Sequence, residues 1–512
     1  MDVARIACRA QVGLAAPPVA VEVHLGSGLP SFAIVGLAAT EVKESKERVR
    51  AALANAGFEW PAGRITVNLA PADLPKDGGR FDLAIAVGIL AASGQVARAA
   101  TGRLAGLELL GELGLAGELR AVRGALLAAR AAAAAGRVLV LPRANAPEMR
   151  LLPSLGARAA ADLLEVCRAL DDAAPLPLAH EIEWPAAAAG DAASAPSLAD
   201  VCGQAFAKRA LRVAAAGGHS LLLVGPPGCG KSMLAQRLPT LLPPLGEAEA
   251  IDVAAVASVA GVPPAWPVPR PFRAPHHTAS AGAIIGGGAR ALPGEITLAH
   301  LGVLFLDEFP EFDRRVLEAL REPLESGVVS ISRAGLQAEY PARFQLVAAM
   351  NPCPCGHHGD RARACRCPPR ELERYRARLS GPLLDRIDLR VALETVGEAD
   401  LAAHRLALDR GEARRETERA IAQVRAARAR QQARQGRLNC ALAGPSLERC
   451  AQPTRAALQT LALARDKLGL SLRGTHRTLR VARTLADLED SESVGEAQLA
   501  EAIQLRRALG GD

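Results

Sequence analysis

A lysine and a serine that close a glycine-rich run are the first residues here whose spacing points to a chemistry. The run Gly225-Pro226-Pro227-Gly228-Cys229-Gly230-Lys231-Ser232 has the pattern G-x-x-x-x-G-K-S and follows the apolar tetrad Leu221 to Val224. Strand, glycine loop and helix in that order predict a phosphate cradle. The glycines let successive backbone N–H groups wrap phosphate oxygens, and the helix N-terminus adds positive potential. Lys231 is then expected to reach the β- and γ-phosphates of ATP, and the Ser232 hydroxyl to bind Mg²⁺. A chance glycine turn would not bring a strand before it and a helix after it.

Two carboxylates supply the next part. Gly302-Val303-Leu304-Phe305-Leu306-Asp307-Glu308 is an apolar strand that ends in Asp-Glu, at the mouth of a sheet. Asp307 suits the Mg²⁺ shell, and Glu308 suits the polarising of an attacking water. A third apolar run, Phe344 to Met350, ends at Asn351, whose neutral amide can position that water near the γ-phosphate. Together these residues predict a nucleoside triphosphatase.

The surrounding elements fall into three parts. Residues 1–180 alternate strand-like and helix-like patterns, such as the period-two run Ala20 to Leu25 and a helical stretch from Thr40 to Gly57. Val42, Val49 and Leu53 mark the inner side of that helix. Residues 181–198, with Trp184 to Ser197 lacking any periodic apolar face, read as a linker. From 199 to 395 the strand-loop-helix order recurs around the phosphate loop, and from 396 to 512 the pattern is helical. The fold class expected is α/β with a C-terminal α-helical lid.

Longer strings carry a family likeness. Pro293-Gly294-Glu295 leads into the Asp-Glu strand, and Leu384-Asp385-Arg386-Ile387-Asp388 follows Asn351. This order resembles the AAA+ branch that contains magnesium chelatases and MCM helicases. Pro271-Phe272-Arg273-Ala274-Pro275-His276-His277-Thr278, Tyr340 to Phe344 and Arg378 to Arg386 are similar to the ComM/YifB group of magnesium-chelatase-like ATPases, and the likeness runs over nearly the whole chain. It implies a homo-hexameric ring that hydrolyses ATP to drive branch migration or unwinding of DNA, as in natural transformation. It matches Arg386 to the arginine finger, which enters the site of the neighbouring subunit; an Arg–Asp pair inside the loop is the plain alternative. Arg473 matches the sensor-2 position, with Arg477 and Arg480 near the same helix face. Val201 and Gln204 stand where the family contacts the adenine. The amino-terminal domain resembles the Lon-protease-like (ribosomal S5 domain 2-like) fold. Where the Lon loop carries its serine, Pro75 to Asp82 has Arg80, which cannot act as a hydroxyl nucleophile. No proteolysis is expected.

Other groups are less specific. Cys353, Cys355, Cys365 and Cys367 form a CxC…CxC set with His357 and His358 between the pairs. Either they hold a structural Zn²⁺ or they stay reduced and unligated; the spacing within each pair is tighter than usual. Val328 to Phe344 reads as a hairpin with Arg333 near its tip, and Gly286 to Arg290 as a flexible basic loop. Arg333 and Arg290 are therefore candidate DNA contacts. Between Arg405 and Arg437 ten arginines face four acids, a pattern that is more often a solvated helix than a phosphate-binding one.

Composition sets the limits. The net charge of +7 spread over 512 residues is mild support for a polyanionic partner. Arg5 and Arg9 interrupt the start of the chain, and no apolar run reaches the ~20 residues of a membrane helix. A soluble, cytoplasmic protein without membrane contact is expected. The competing functions are the ATPase subunit of a magnesium chelatase and a protein-remodelling ATPase. The latter has only Tyr340 and Tyr375 to offer as pore tyrosines.

Overall fold

The computed structural model describes residues 3–37, 39, 42, 44–96, 102–172, 174–183, 196–262, 265–288, 290–333, 336–359 and 363–506. Most of the expected linker, residues 184–195, lies outside them.

The N-terminal part is built on a four-stranded sheet in the order β1-β2-β4-β3, from β1 (Ala4–Arg9), β2 (Pro18–Gly26), β3 (Ser31–Val35) and β4 (Arg64–Ala70). The alternation in Ala20 to Leu25 is what one buried face requires: Val21 and Val23 are fully buried. Helix α1 (Ser45–Asn55) contributes Val49 and Leu53 to the same core, beside Val42. Helix α2 (Asp82–Ala92) packs on β1 and β2 and is buried from Asp82 through Leu90. A second, three-stranded parallel layer joins β5 (Leu107–Leu109), β6 (Val138–Pro142) and β7 (Arg158–Ala160), with α3 (Ala125–Ala134) against it.

The central part is a five-stranded, all-parallel sheet. Its strands are β8 (Leu221–Val224), β9 (Phe272–Arg273), β10 (Val303–Leu306), β13 (Gln345–Met350) and β14 (Leu389–Ala392), in the order β9-β10-β13-β8-β14. Between β10 and β13 lies the hairpin of β11 (Val328–Arg333) and β12 (Leu336–Pro341). The side chain of Arg333 lies outside the described residues.

Period two along these strands feeds two cores. Leu222, Val224, Leu304, Leu306, Leu346 and Ala348 face a core shared with the N-terminal part. Leu221, Leu223, Val303, Phe305, Val347 and Ala349 face one shared with the C-terminal helices. Strands covered on both faces are continuous apolar runs, which is why the sequence shows tetrads here rather than alternation. Helix α4 (Ala205–Gly217) lies under the second face, and α7 (Glu412–Gln435) and α8 (Leu472–Leu488) pack on it. The N-terminal part is tied to the centre through α6 (Glu247–Ala260). Gly124 N–H donates to the Ser258 carbonyl at 2.9 Å, and the Ser258 hydroxyl bonds Glu148. Among the described residues, no helix is long and apolar enough to cross a membrane.

Candidate active site

Parallel strands place ligands at their carboxyl ends, where neighbouring crossovers diverge. Here that point is the end of β8, and the phosphate loop occupies it. Gly228 and Gly230 have φ of +78° and +94°, a backbone that only glycine adopts without strain. Gly230 caps helix α5 (Lys231–Leu241). A side chain on Gly225 would meet the Cys229 sulfur and the Leu393 carbonyl within 3 Å. The buried Lys231 ammonium donates to the carbonyls of Gly225 (2.7 Å) and Pro226 (2.9 Å) and to Asn351 Oδ1 (3.0 Å). Burial holds it below the ordinary lysine range, a cost that an anionic phosphate would relieve.

Ser232 Oγ donates to Asp307 Oδ2 at 2.6 Å, which brings a hydroxyl and a carboxylate from two elements to one point. Hard oxygen donors so placed fit Mg²⁺. Glu308 follows in the left-handed region, at φ +51°. Non-glycine residues in that region are uncommon and cluster at active sites. This conformation turns its carboxylate toward His277 Nδ1, 2.8 Å away. In the sequence His277 stands out only as part of the string Pro271 to Thr278 that carries the family likeness. It reaches Glu308 because β9 pairs with β10, and its ring lies tilted against that of His276 and meets Phe312 edge-on. Lys231, Asp307, Glu308 and Asn351 line one cavity of about 210 Å³, together with Pro354 and Tyr375.

The segment ahead of α4 packs against the phosphate loop. Val201 is buried, and Gln204, in the left-handed region, donates to the carbonyls of Cys229 (3.2 Å) and Glu394 (2.6 Å). Gln204 thereby joins the phosphate loop to the chain beyond β14.

Arg386 stands at the other end of the sheet. It precedes β14, and its carbonyl accepts from Ser220 Oγ, just before β8, whereas Lys231 follows β8. It makes no pair with Asp385 or Asp388. Its guanidinium is buried against Glu325 (2.7 Å) and the Pro382 carbonyl (2.7 Å). Arg473, at the start of α8, is exposed and lies 3.9 Å from the same Glu325. Arg477 is committed instead to Asp388 (2.6 Å) and the Arg386 carbonyl (2.8 Å), and Arg480 is largely buried beside Asp388. Of the three sensor-2 candidates, Arg473 alone is mostly open to solvent.

Asp388 has a structural duty. Burial alone would raise its carboxyl, but the His219 hydrogen bond and the Arg477 charge hold it well below the usual carboxylate range. Its contribution is therefore present above pH ~4 and is lost as pH falls through the acid range. Asp388→Asn leaves Arg477 without its counter-charge and should destabilise the fold by ~3 kcal/mol. Urea unfolding at neutral pH checks this; an unchanged midpoint would reject it.

Comparison with known proteins gives this arrangement its family. Three profiles match in chain order: "Subunit ChlI of Mg-chelatase" over residues 21–145, "Magnesium chelatase, subunit ChlI" over 197–401, and "Magnesium chelatase, subunit ChlI C-terminal" over 414–506. The chain is 47% identical to Competence protein ComM of Haemophilus influenzae over 99% of its own length and 98% of that protein. It is 46% identical to YifB of Salmonella typhimurium over 99% and 97%. It belongs to the ComM/YifB family of magnesium-chelatase-like AAA+ proteins. A shorter stretch, 19% of the chain, is 34% identical to a zygotic DNA replication licensing factor, mcm6-A, of Xenopus laevis. Membership of this AAA+ family implies an ATPase, and the cavity around Lys231 and Glu308 has the parts for it.

In this ComM/YifB chain, other residues singled out in the sequence acquire partners. Arg290 is not a free basic tip: its guanidinium pairs with Asp77 of the N-terminal part at 2.7 Å. The arginine-rich helix α7 is only partly solvated. Arg428 donates to the Ala215 carbonyl and Arg434 forks onto Asp487, so both serve to fasten the helical part. The four cysteines do converge, with sulfurs all within 4.8 Å of one another.

Proposed function

We propose that this chain is the subunit of a homo-hexameric, ATP-driven DNA motor that migrates or unwinds branched DNA during recombination, natural transformation included. The observation that carries this reading is the split of the catalytic set over two ends of one sheet. Lys231, Asp307, Glu308 and Asn351 gather at the carboxyl ends of the strands, with Ser232 bonded to Asp307, whereas Arg386 and Arg473 share Glu325 at the opposite end. A site so divided is completed by a second subunit, and repetition of such a head-to-tail contact gives a ring where its rotation closes.

In the mechanism, ATP lies along the phosphate loop, with Lys231 against its β- and γ-phosphates. Mg²⁺, held by Ser232 and Asp307, would neutralise charge that develops on the phosphate oxygens. Glu308 takes a proton from the attacking water, and Asn351 fixes where that water stands. His277 sets the orientation of the Glu308 carboxylate. Arg386, and Arg473 with it, enter the neighbour's site, so hydrolysis depends on assembly.

For the N-terminal part we infer a Lon-protease-like fold without peptidase chemistry. Arg80, at the position of the nucleophile, is buried and donates to the Arg123 carbonyl at 2.7 Å. The hairpin β11–β12 and Arg290, whose exposed pair with Asp77 is of the kind a phosphate can displace, both remain candidates for DNA contact.

The chelatase reading has support of its own, because each family profile is named for that enzyme, the one over the N-terminal region included. End-to-end similarity to a protein named for competence favours the DNA motor. Steady-state ATPase with single-stranded, duplex and four-way-junction DNA separates them. Several-fold stimulation by the junction, weakening as salt rises, is expected. Full basal turnover with no response to any DNA would move the assignment to metal insertion.

A further inference from the structure

Four thiols meet directly beyond the strand that carries Asn351. The Cys353 sulfur lies 3.4 Å from that of Cys355 and 3.7 Å from that of Cys365, and Cys355 and Cys365 are also 3.7 Å apart. A disulfide would need about 2.05 Å. A tetrahedral Zn²⁺ with Zn–S bonds of about 2.3 Å sets sulfurs roughly 3.8 Å apart, close to what is found here. The backbone is arranged for thiolates as well. His358 N–H points at the Cys353 sulfur (3.3 Å), Cys355 N–H at Cys367 (3.4 Å) and Cys367 N–H at Cys365 (3.5 Å). Outer hydrogen bonds of this kind orient metal ligands and tune them. The tight C-x-C pairs are therefore not an obstacle, since the loop supplies the curvature and the donors.

The loop is built into the ATP site. Asn351, two residues before Cys353, accepts from Lys231 at 3.0 Å. Pro354, between the first two cysteines, lines the cavity of Lys231, Asp307 and Glu308. Gly356, at φ +84°, lies so close to the phosphate loop that a Cβ there would stand 2.6 Å from Pro227 Cδ.

We propose that Cys353, Cys355, Cys365 and Cys367 bind one Zn²⁺ per chain as thiolates, releasing their protons to solvent. We further propose that the resulting knuckle is a positioning element of the ATPase, pressing on Pro227 and fixing Asn351 against Lys231. The positioning half rests on the ATPase reading above, whereas the metal half does not, so each can fail alone.

Metal analysis of the purified full chain, after dialysis against a weak chelator, should find one zinc and no iron per chain. Growth with Co²⁺ in place of Zn²⁺ should give the visible bands of a tetrahedral thiolate site. The double variant Cys365→Ser/Cys367→Ser should lose the metal, keep its affinity for fluorescent ADP, and lose about tenfold or more in ATP turnover. Gly356→Ala, which leaves all four ligands in place, should keep zinc yet lower kcat rather than raise KM. This variant decides the matter if the cysteine variant fails to fold. Protein without zinc, or with iron instead, would overturn the metal assignment. Zinc present together with unaltered turnover in Gly356→Ala would overturn the positioning role.

Discussion

Glu308→Gln should leave a protein that binds ATP and almost never hydrolyses it. Glutamine keeps the size of the side chain and an oxygen for His277, so the cavity and the backbone at φ +51° are preserved. What it removes is the group able to take a proton from water. Loss of a general base costs about 10²–10⁴ in rate. Fluorescent-nucleotide binding should stay within a few-fold, because Lys231, Ser232 and the loop amides are untouched. Steady-state phosphate release measures the loss, and a variant that retains more than a tenth of wild-type turnover would remove Glu308 from the role of base. Reduced ATP binding instead would mean that Glu308 helps to hold the nucleotide or its Mg²⁺, beside Asp307.

The parts of this site that could be read from sequence are those whose geometry is local. The phosphate loop, its helix and the Asp-Glu strand end each need only a strand, a turn and a fixed spacing, and each stands at the cavity. Tetrads such as Leu221–Val224 and Val303–Leu306 marked buried parallel strands, because covering both faces removes alternation. Long-range partners were not legible. His277 faces Glu308 only through the pairing of β9 with β10, and nothing in the string of histidines encodes it. Glu325 lies in an ordinary acidic helix turn, yet it accepts Arg386 and lies beside Arg473. Arg290 looked solvated because its loop is rich in glycine, but its partner, Asp77, comes from the N-terminal part. Arginine side chains are long, and a charge pattern alone does not say whether the head group ends in water or on a carboxylate.

Arg386→Ala should abolish ATP turnover without emptying the nucleotide site, and the defect should be repaired by mixing. Arg386 begins the turn into β14, and Lys231 lies beyond the far end of the adjacent, parallel β8. Four strand residues at about 3.3 Å each put the backbone of Arg386 roughly 13 Å from the phosphate loop, and its guanidinium is held at that end by Glu325 and the Pro382 carbonyl. It cannot serve that loop. An arginine delivered by a neighbour is worth about 10³–10⁵ in rate, because it places a positive charge on the transferring phosphoryl group as charge builds there. In the single chain the guanidinium rests on Glu325, a carboxylate that is half exposed, so a phosphate of the neighbouring subunit would have to displace that carboxylate. Arg386→Ala keeps an intact phosphate loop, and Lys231→Ala keeps an intact Arg386. In a random equal mixture about a quarter of the interfaces of a closed ring join the good half of each. The mixture should therefore turn over ATP when neither variant does alone. A purely structural Arg386 predicts the opposite: lowered thermal stability in Arg386→Ala and no recovery at any mixing ratio. The ratio series distinguishes the two, since trans action peaks near equal amounts and falls away on both sides.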